Sequence, residues 1–480
     1  MINIYDILVN AKNTLSLRAY IVGGSLRDIL IGKNVKDYDL VVDKNPRGYA
    51  EAIATELKGR FIILDEEQET FRVILDSKEF IDISRMKGKS IIDDLKHRDF
   101  TINAMAYDVD NSIPIIKEKI LDPYNGMKDL DRKLIKHLTE ETFEADPIRM
   151  LRAVRFMAAL DFSLDEDTIQ QITKNASSIK RVSGERVSYE LFEILKSNKS
   201  YYYLSYMDKE LKLLDKIFPD IEEMKKVGEC KYHVVNSWTH SIYTVKVAEN
   251  VINEDGFFEK HIKRAFEEHT RELIAADRSR LQLIKLGALF HDIGKPSAMK
   301  IDSSGRTRFR GHEITGTKIV KGYSEALKLS TLEKNILQKY VYLHMLPLVS
   351  YKNNDVSGRA LYNIFSKMGE ETLDILLIAF ADIVATRRLL DPHEEMGMIK
   401  IHVEYIANNY LTRYKPLEKI SAIITGKEIM DTLNIPEGEE VGMILEEVKK
   451  AIYFGEISSS KEAVIEYIKG IKAVEDLKKQ

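Results

Sequence analysis

The stretch "VGGSLRDILIGKNVKDYDLVV", Val22 to Val42, decides how the first third of the chain is read. Gly23 and Gly24 stand between an apolar strand pattern and a helix pattern, and two aspartates, Asp37 and Asp39, follow at i and i+2. Glycine lets backbone approach a ligand closely, and the N–H groups that open the next helix can receive a phosphate. On spacing alone, strand–Gly–Gly–helix is equally a tight turn. In a strand, residues i and i+2 face the same side. Two carboxylates on one face repel unless a cation or water lies between them. Tyr38, Leu40 and Val42 make the other face apolar. The pair therefore reads either as solvated surface acids or as ligands of a hard divalent metal shared with substrate phosphates. A third acid is expected from a neighbouring strand, and Asp82 in "EFIDISR" is the candidate.

Around this stretch the pattern alternates. "RAYIVGG", "DYDLVV", "RFIILD", "FRVILD" and "EFIDISR" predict short strands, and "SLRDILIG" and "NPRGYAEAIATELKG" predict helices between them, the second ending at Gly59. That gives a small α/β domain to about Tyr107. From about Leu130 the chain reads as helical, and "DPIRMLRAVRFMAAL" carries apolar residues at 3–4 spacing. With 480 residues the chain is too long for one core, which predicts three or four domains. The lone Cys230 excludes a disulfide framework and fits a reducing cytosol. "MINIYDILVNAKN" lacks the basic start and apolar core of a signal peptide. "LDILLIAFADIVATRRLL" holds Asp374, Asp382, Arg387 and Arg388, so it predicts a buried helix and not a membrane span. A net charge of −4 gives no global attraction for nucleic acid, so RNA binding must use local basic faces.

"GGSLRD…DYDLVV" resembles the first motif of the class II tRNA nucleotidyltransferase and bacterial poly(A) polymerase family. "HRDFTINAMAYD" (His97–Asp108), "LDPYNGMKDLDRKLI" (Leu121–Ile135) and "FEADPIRMLRAVRF" (Phe143–Phe156) resemble its second, third and fourth motifs, in order. The resemblance implies that Asp37 and Asp39 hold catalytic Mg²⁺, with Asp82 as the third acid. It implies that Gly23, Gly24, Ser25 and Arg27 hold the incoming triphosphate. Arg98, Asp99 and Asn103 would contact the nucleotide sugar and phosphates.

In the fourth motif, Asp146-Pro147 reads unaided as a helix N-cap with proline at the first helical position. The resemblance instead implies that Asp146 and Arg149 hydrogen-bond the base edge of CTP or ATP and act as a protein template. Arg152 and Arg155 continue the same face, as phosphate or RNA contacts or as exposed helix charges. Two departures stand out. Ala145 occupies a position where many members carry Glu, and only "MKGKSIIDDLK" separates Arg85 from His97. In the family such a shortened loop accompanies enzymes that add part of the CCA end.

The middle of the chain holds His240, His291-Asp292, His312, His344 and Asp382. In that order they resemble the HD phosphohydrolase superfamily. The resemblance implies one metal on His240, His291, Asp292 and Asp382, and in some branches a second on His312 and His344. Imidazole with carboxylate suits Mn²⁺, Ni²⁺, Fe²⁺, Co²⁺ or Zn²⁺. Lys295 steadies a phosphate or sits in solvent. A decayed domain kept as a structural piece is the plain alternative. In the last segment, "ITGKEIMDTLNIPEGEEVGMILEEVKKAIYFGEI" resembles the family's tail, and Gly426, Pro436, Gly438 and Gly442 match it. Those glycines open helices toward RNA phosphates or are plain turns.

The expectation is a multidomain α+β protein. A nucleotidyltransferase head with a mixed, polymerase-beta-like sheet spans 1–128, a helical neck 129–225, an HD domain 226–395 and a helical RNA-binding tail 396–480. The expected activity is cytoplasmic addition of CCA, or of CC or A, to tRNA 3′ ends from CTP and ATP, with an HD phosphohydrolase beside it and no membrane partner. The alternatives are a poly(A) polymerase, or an HD phosphohydrolase whose first domain only binds RNA.

Overall fold

Five short alternating segments become five strands, and a sixth joins them. The structure, a computed structural model, describes residues 4–478 apart from 34, 36, 77–78, 112–113, 228–234, 254–257, 276 and 391–392, so Cys230 lies outside the described residues. By its internal contacts the chain divides into two units, Met1–Ile194 with Tyr206–Ile217, and Leu195–Ser205 with Phe218–Gln480.

The first unit opens with helix α1 (Ile4–Thr14), then β1 (Ala19–Val22), α2 (Gly23–Leu30), β2 (Asp37–Val42), α3 (Pro46–Leu57), β3 (Arg60–Asp65), β4 (Thr70–Ile74) and β5 (Phe80–Arg85). Helix α4 (Ile91–Lys96) and strand β6 (Ala106–Asp108) follow. The six strands form one sheet in the order β3-β4-β5-β2-β1-β6. It is mixed: β2 and β5 run parallel, with Asp39 beside Asp82, and the other neighbours are antiparallel. Along β2, Leu40, Val41 and Val42 are buried and Asp37 is exposed, so the acids sit at the open end of a strand anchored in the core.

Gly23 shows why glycine is needed here. Its φ is +65°, and a Cβ would lie 2.9 Å from the Arg98 guanidinium and 3.2 Å from Asp39 Oδ2. The turn is thus a close approach of the protein's own charged groups as well as a bend. The short Arg85–His97 connection is α4, started by Ser90 and Asp93 in a reciprocal capping box. Met86, Ile91 and Leu95 pack it against Tyr20, Val22 and Val41 of the sheet.

Helices α5 (Gly126–Asp131), α6 (Thr142–Ala145) and α7 (Arg149–Leu160) continue the unit. The third motif acts structurally: Asp122 accepts from the N–H groups of Gly126 and Met127 at 2.6 and 2.9 Å, and the Thr101 hydroxyl donates to Asp129 at 2.7 Å. Helix α7 buries Met150, Leu151, Val154, Phe156 and Met157, each large side chain contributing roughly 1.5–3 kcal/mol. Its opposite edge presents Arg149, Arg152 and Arg155.

The second unit is helical, with short two-stranded ribbons. Its core includes Thr372–Leu390, whose residues Leu373 to Ala381 are all buried, Asp374 among them with His269 and Arg280 as partners. Among the described residues no helix is long and apolar enough to cross a membrane. The tail has its own core of Ile420, Ile424, Ile429, Leu433, Val441, Ile444, Val448, Val464 and Ile468. Thr425 caps the helix Gly426–Leu433 reciprocally with Glu428, and Glu439 and Glu440 open the helix Glu439–Phe454. Acidic first turns disfavour a phosphate there, so the plain-turn reading of Gly426 and Gly438 fits the structure better.

Candidate active sites

A cavity of about 440 Å³ in the first unit gathers residues from the first, second and fourth motifs. Gly23, Gly24, Arg27 and Asp39 form one wall, Arg98, Asp99 and Asn103 a second, and Asp146, Arg149, Arg152 and Arg155 a third. Phe156 and Arg186 complete it.

The acids are held in different ways. Asp39 Oδ2 accepts from the N–H groups of Gly24 and Ser25 at 3.0 and 3.3 Å. The Ser25 hydroxyl donates to the Val22 carbonyl at 2.9 Å and accepts from the Asp39 N–H at 3.0 Å. Ser25 therefore fixes Asp39, and its side chain is not on the cavity wall. Burial raises the Asp39 carboxyl above its ordinary range; Arg98 opposes this and Asp82 adds to it. A carboxylate pushed toward protonation in this way, with exposed Asp37 two residues before it, suits a divalent cation. Asp82 adjoins Asp39 in register, but Arg72 donates to both of its oxygens at 2.7 Å. The third acid thus stands beside the pair with its charge already balanced.

The second motif forms a chain of hydrogen bonds. Arg27 Nη1 donates to Asn103 Oδ1 at 2.7 Å, Asn103 Nδ2 to Asp99 Oδ1 at 2.9 Å, and Arg152 Nη2 meets Asp99 Oδ2 at 2.7 Å. Burial alone would raise the Asp99 carboxyl, but Arg152 and the Asn103 amide hold it below its ordinary range. Arg155 donates to Glu190 at 2.7 Å with its guanidinium 4.4 Å from the Phe156 ring centre. Arg152 and Arg155 are thus oriented groups of the cavity and not free helix charges.

In the fourth motif Asp146 caps nothing with its side chain: it follows α6 with φ −147° and ψ 96°, and both oxygens accept from Arg186. The N-cap reading fails because α7 starts three residues later, and only the Asp146 carbonyl takes the Arg149 N–H, at 3.1 Å. Arg149 donates to the carbonyls of His97 and Arg98 at 2.7 and 3.3 Å, which ties the fourth motif to the second.

A second cluster lies in the second unit. His240, His291 and Asp382 place ligand atoms within 4.8 Å of one another, as do Asp292, His312 and His344. Asp292 joins the two groups, 3.2 Å from His291 Nε2 and 3.3 Å from His312 Nε2. The Nδ1 atoms of His291, His312 and His344 lie 2.8, 2.9 and 2.8 Å from the carbonyls of Ala288, Phe309 and Val341. A carbonyl only accepts, so each Nδ1 carries the proton and each Nε2 faces the centre as a ligand. The buried His291 Nε2 makes no hydrogen bond. Burial would lower the His291 imidazole, yet Asp292 and Asp382 push it up to about 10. Burial with His291 and His312 pushes His344 down to about 3. Such a cluster calls for positive charge at its middle, and the donor set fits a divalent transition metal. Lys295 is buried and pairs with Asp292 at 2.5 Å, which excludes the solvent reading.

Comparison with known proteins follows the same division. Residues 19–136 match the Poly A polymerase head domain, 161–225 the probable RNA and SrmB-binding site of polymerase A, and 237–387 the HD domain. An A-adding tRNA nucleotidyltransferase of Deinococcus radiodurans is 26% identical over 93% of this chain and 94% of its own length. A CC-adding tRNA nucleotidyltransferase of Synechocystis is 28% identical over 93% of this chain and 92% of its own. The chain is thus similar, over nearly its whole length, to tRNA nucleotidyltransferases, and its first part to the head of poly(A) polymerases. It carries an HD domain, and both domains are of metal-dependent kinds. The fold is shared with a Thermotoga maritima CCA-adding enzyme solved with tRNA, at a TM-score of 0.60 and 21% identity over 98% of this chain and 94% of that one.

Two cavity partners carry no signal in the sequence. Arg186 lies forty positions beyond Asp146, in "SGERVSYELF", with no spacing that links them. Arg72 sits in a strand whose alternation showed which face it takes but not that Asp82 lies opposite.

Proposed function

We propose that this protein transfers CMP or AMP units from CTP and ATP to the 3′ end of tRNA. The observation that carries the reading is the single cavity in which three motifs meet around Asp39. Asp37 and Asp39 would hold Mg²⁺, with Asp82 as the third acid. Bound there, the metal supplies charge to the triphosphate and acidifies the attacking hydroxyl. The RNA 3′ oxygen bonds to the α-phosphorus, the bond to the bridging oxygen breaks, the hydroxyl proton is released, and pyrophosphate leaves.

The chain's own groups orient this event. The Gly24 and Ser25 N–H groups aim Asp39. Arg27, Arg98 and Arg152 face the triphosphate; Asp99 with Asn103 keeps Arg152 and Arg27 in place and meets the sugar, and Asp94 holds Arg98. Asp146 accepts from the exocyclic amine of C or A while Arg149 donates to ring acceptors. U and G leave one of these half-buried partners unmatched, and that mismatch is the source of selection. The packed α4 in place of a long loop, together with A-adding and CC-adding relatives that align over nearly the whole chain, supports addition of part of the CCA end.

We further assign residues 1–128, 129–225, 226–395 and 396–480 to head, neck, HD domain and tail, with the enzyme in the cytoplasm. The HD centre would take Mn²⁺, Ni²⁺, Fe²⁺ or Co²⁺ and hydrolyse a phosphoester. The test of nucleotidyl transfer is pyrophosphate release on mixing the protein, Mg²⁺ and CTP or ATP with tRNA trimmed of its 3′ end. Release that requires the trimmed tRNA supports the reading. Addition of long A tails to unrelated RNA supports poly(A) polymerase, and no pyrophosphate release with any RNA refutes both.

A further inference from the structure

Between the HD ligands Asp292 and His312 the chain forms a short antiparallel ribbon, Lys300–Ile301 against Thr307–Arg308. The same stretch carries Lys295, Lys300, Arg306, Arg308 and Arg310 with one carboxylate, Asp302. That carboxylate is used inside the ribbon. Its Oδ1 accepts from the Ser304 hydroxyl and N–H at 2.6 and 2.9 Å and from the Arg306 N–H at 3.0 Å, and its Oδ2 accepts from Arg308 Nε at 2.9 Å. Lys300, Arg306 and Arg310 are exposed and meet no carboxylate among the described residues.

This arrangement costs stability. Lys300 stands directly opposite Arg308, and like charges facing each other weaken a strand pair. A two-stranded ribbon has little stability in reserve. Ile301 is 71% exposed and Met299 47%, so apolar side chains sit among the cations instead of under them. Cations interleaved with apolar faces match a strand of phosphates and flat bases, whereas an acidic peptide would leave Ile301 and Met299 unused.

The ribbon runs directly into the HD centre. The Phe309 carbonyl takes the His312 Nδ1–H at 2.9 Å, and the Phe309 ring centre lies 5.7 Å from the Lys295 ammonium that pairs with Asp292.

We propose that residues 299–310 form an RNA-contacting arm of the HD domain. Lys300, Arg306 and Arg310 hold phosphates of a single strand, and Met299 and Ile301 lie against its bases. This inference is independent of what the head transfers.

The test places a photo-crosslinker on the exposed turn, Ser303→p-benzoylphenylalanine, in the full-length protein. The probe is a labelled short single-stranded RNA. Crosslinking is expected at Ser303, with about a tenfold loss when Arg306→Glu and Arg310→Glu are added, because two phosphate contacts are reversed. The neutral pair Arg306→Gln and Arg310→Gln should fall between. The thermal melt and the far-UV circular dichroism spectrum report that the variants are folded. Absence of a crosslink, a crosslink unchanged by the charge reversals, or equal displacement by polyglutamate and by RNA overturns the inference. None of these readouts depends on nucleotide addition.

Discussion

Both carboxylate oxygens of Asp146 are held by the guanidinium of Arg186, at 3.1 and 2.8 Å. The same carboxylate is the acceptor that base selection requires, so an incoming base amine must compete with or replace Arg186. Arg149 is likewise engaged before any ligand arrives, by the carbonyls of His97 and Arg98. The two residues proposed as the template are therefore oriented in advance by the protein.

Asp146→Ser should change selection and leave stability alone. The side chain caps no helix, and its ion pair is partly exposed, so the stability change should stay under about 0.5 kcal/mol. Incorporation of all four nucleotides beside a thermal melt checks this. Wild-type preference for C and A in the Ser variant would remove Asp146 from the template.

Asp39→Asn should abolish nucleotide addition, by at least about 100-fold, through lost charge in the transition state. The amide oxygen can still accept from Gly24 and Ser25. Because burial raises the Asp39 carboxyl, the folded state binds its proton more tightly than the unfolded chain does. Stability from this group is then present below the ordinary carboxyl range and lost as pH rises through the raised value. At neutral pH the metal-free Asn variant should melt no lower than wild type, and Mg²⁺ should raise the melt of wild type more. A melt that falls on substitution and ignores Mg²⁺ would contradict the assignment.

Metal uptake by the HD centre should release protons. His291, at about 10, is cationic in the metal-free protein at pH 8, and a metal on Nε2 must displace that proton. Calorimetry with Mn²⁺ in buffers of different ionisation enthalpy should give about one proton per centre, reduced in His291→Ala. Uptake with no proton exchange at pH 8 would show that His291 is neutral before metal arrives, and uptake unchanged in His291→Ala would exclude His291 as a ligand.

Lys285 and Glu249 form a buried pair at 3.0 Å, and the ammonium also donates to the carbonyls of Leu195 and Ser197 at 2.8 and 2.7 Å. Lys285→Met alone strands a buried carboxylate and should cost about 3–5 kcal/mol. Adding Glu249→Gln should recover part of that. Denaturant melts of both single variants and the double variant measure the coupling, and losses that simply add would show that the pair is not coupled.

Much of the head was legible because its strands alternate and its helices end at turn residues: β1 to β5 and α3 lie where "AYIV", "DYDLVV" and "PRGYAEAIATEL" place them. Strand β6 was hidden because three residues inside the second motif are too few to show a period. Helix α4 was read as a shortened loop although "SIID" carries a capping signal. The six candidate HD ligands were legible as residue types in order, but the tautomers of His291, His312 and His344 were not, since these depend on carbonyls three residues upstream. Arg186 and Arg72 needed coordinates, because pairing across long sequence separations leaves no local trace.

The central claim is tested most directly by sequencing tRNA ends. Purified protein with Mg²⁺ is given one tRNA ending before the CCA and one ending in CC, with CTP, ATP or both. The account predicts C on the first, A on the second, or both, with U and G excluded and with no activity in Asp39→Asn. Unextended ends on both tRNAs, or extension that persists in Asp39→Asn, would contradict it.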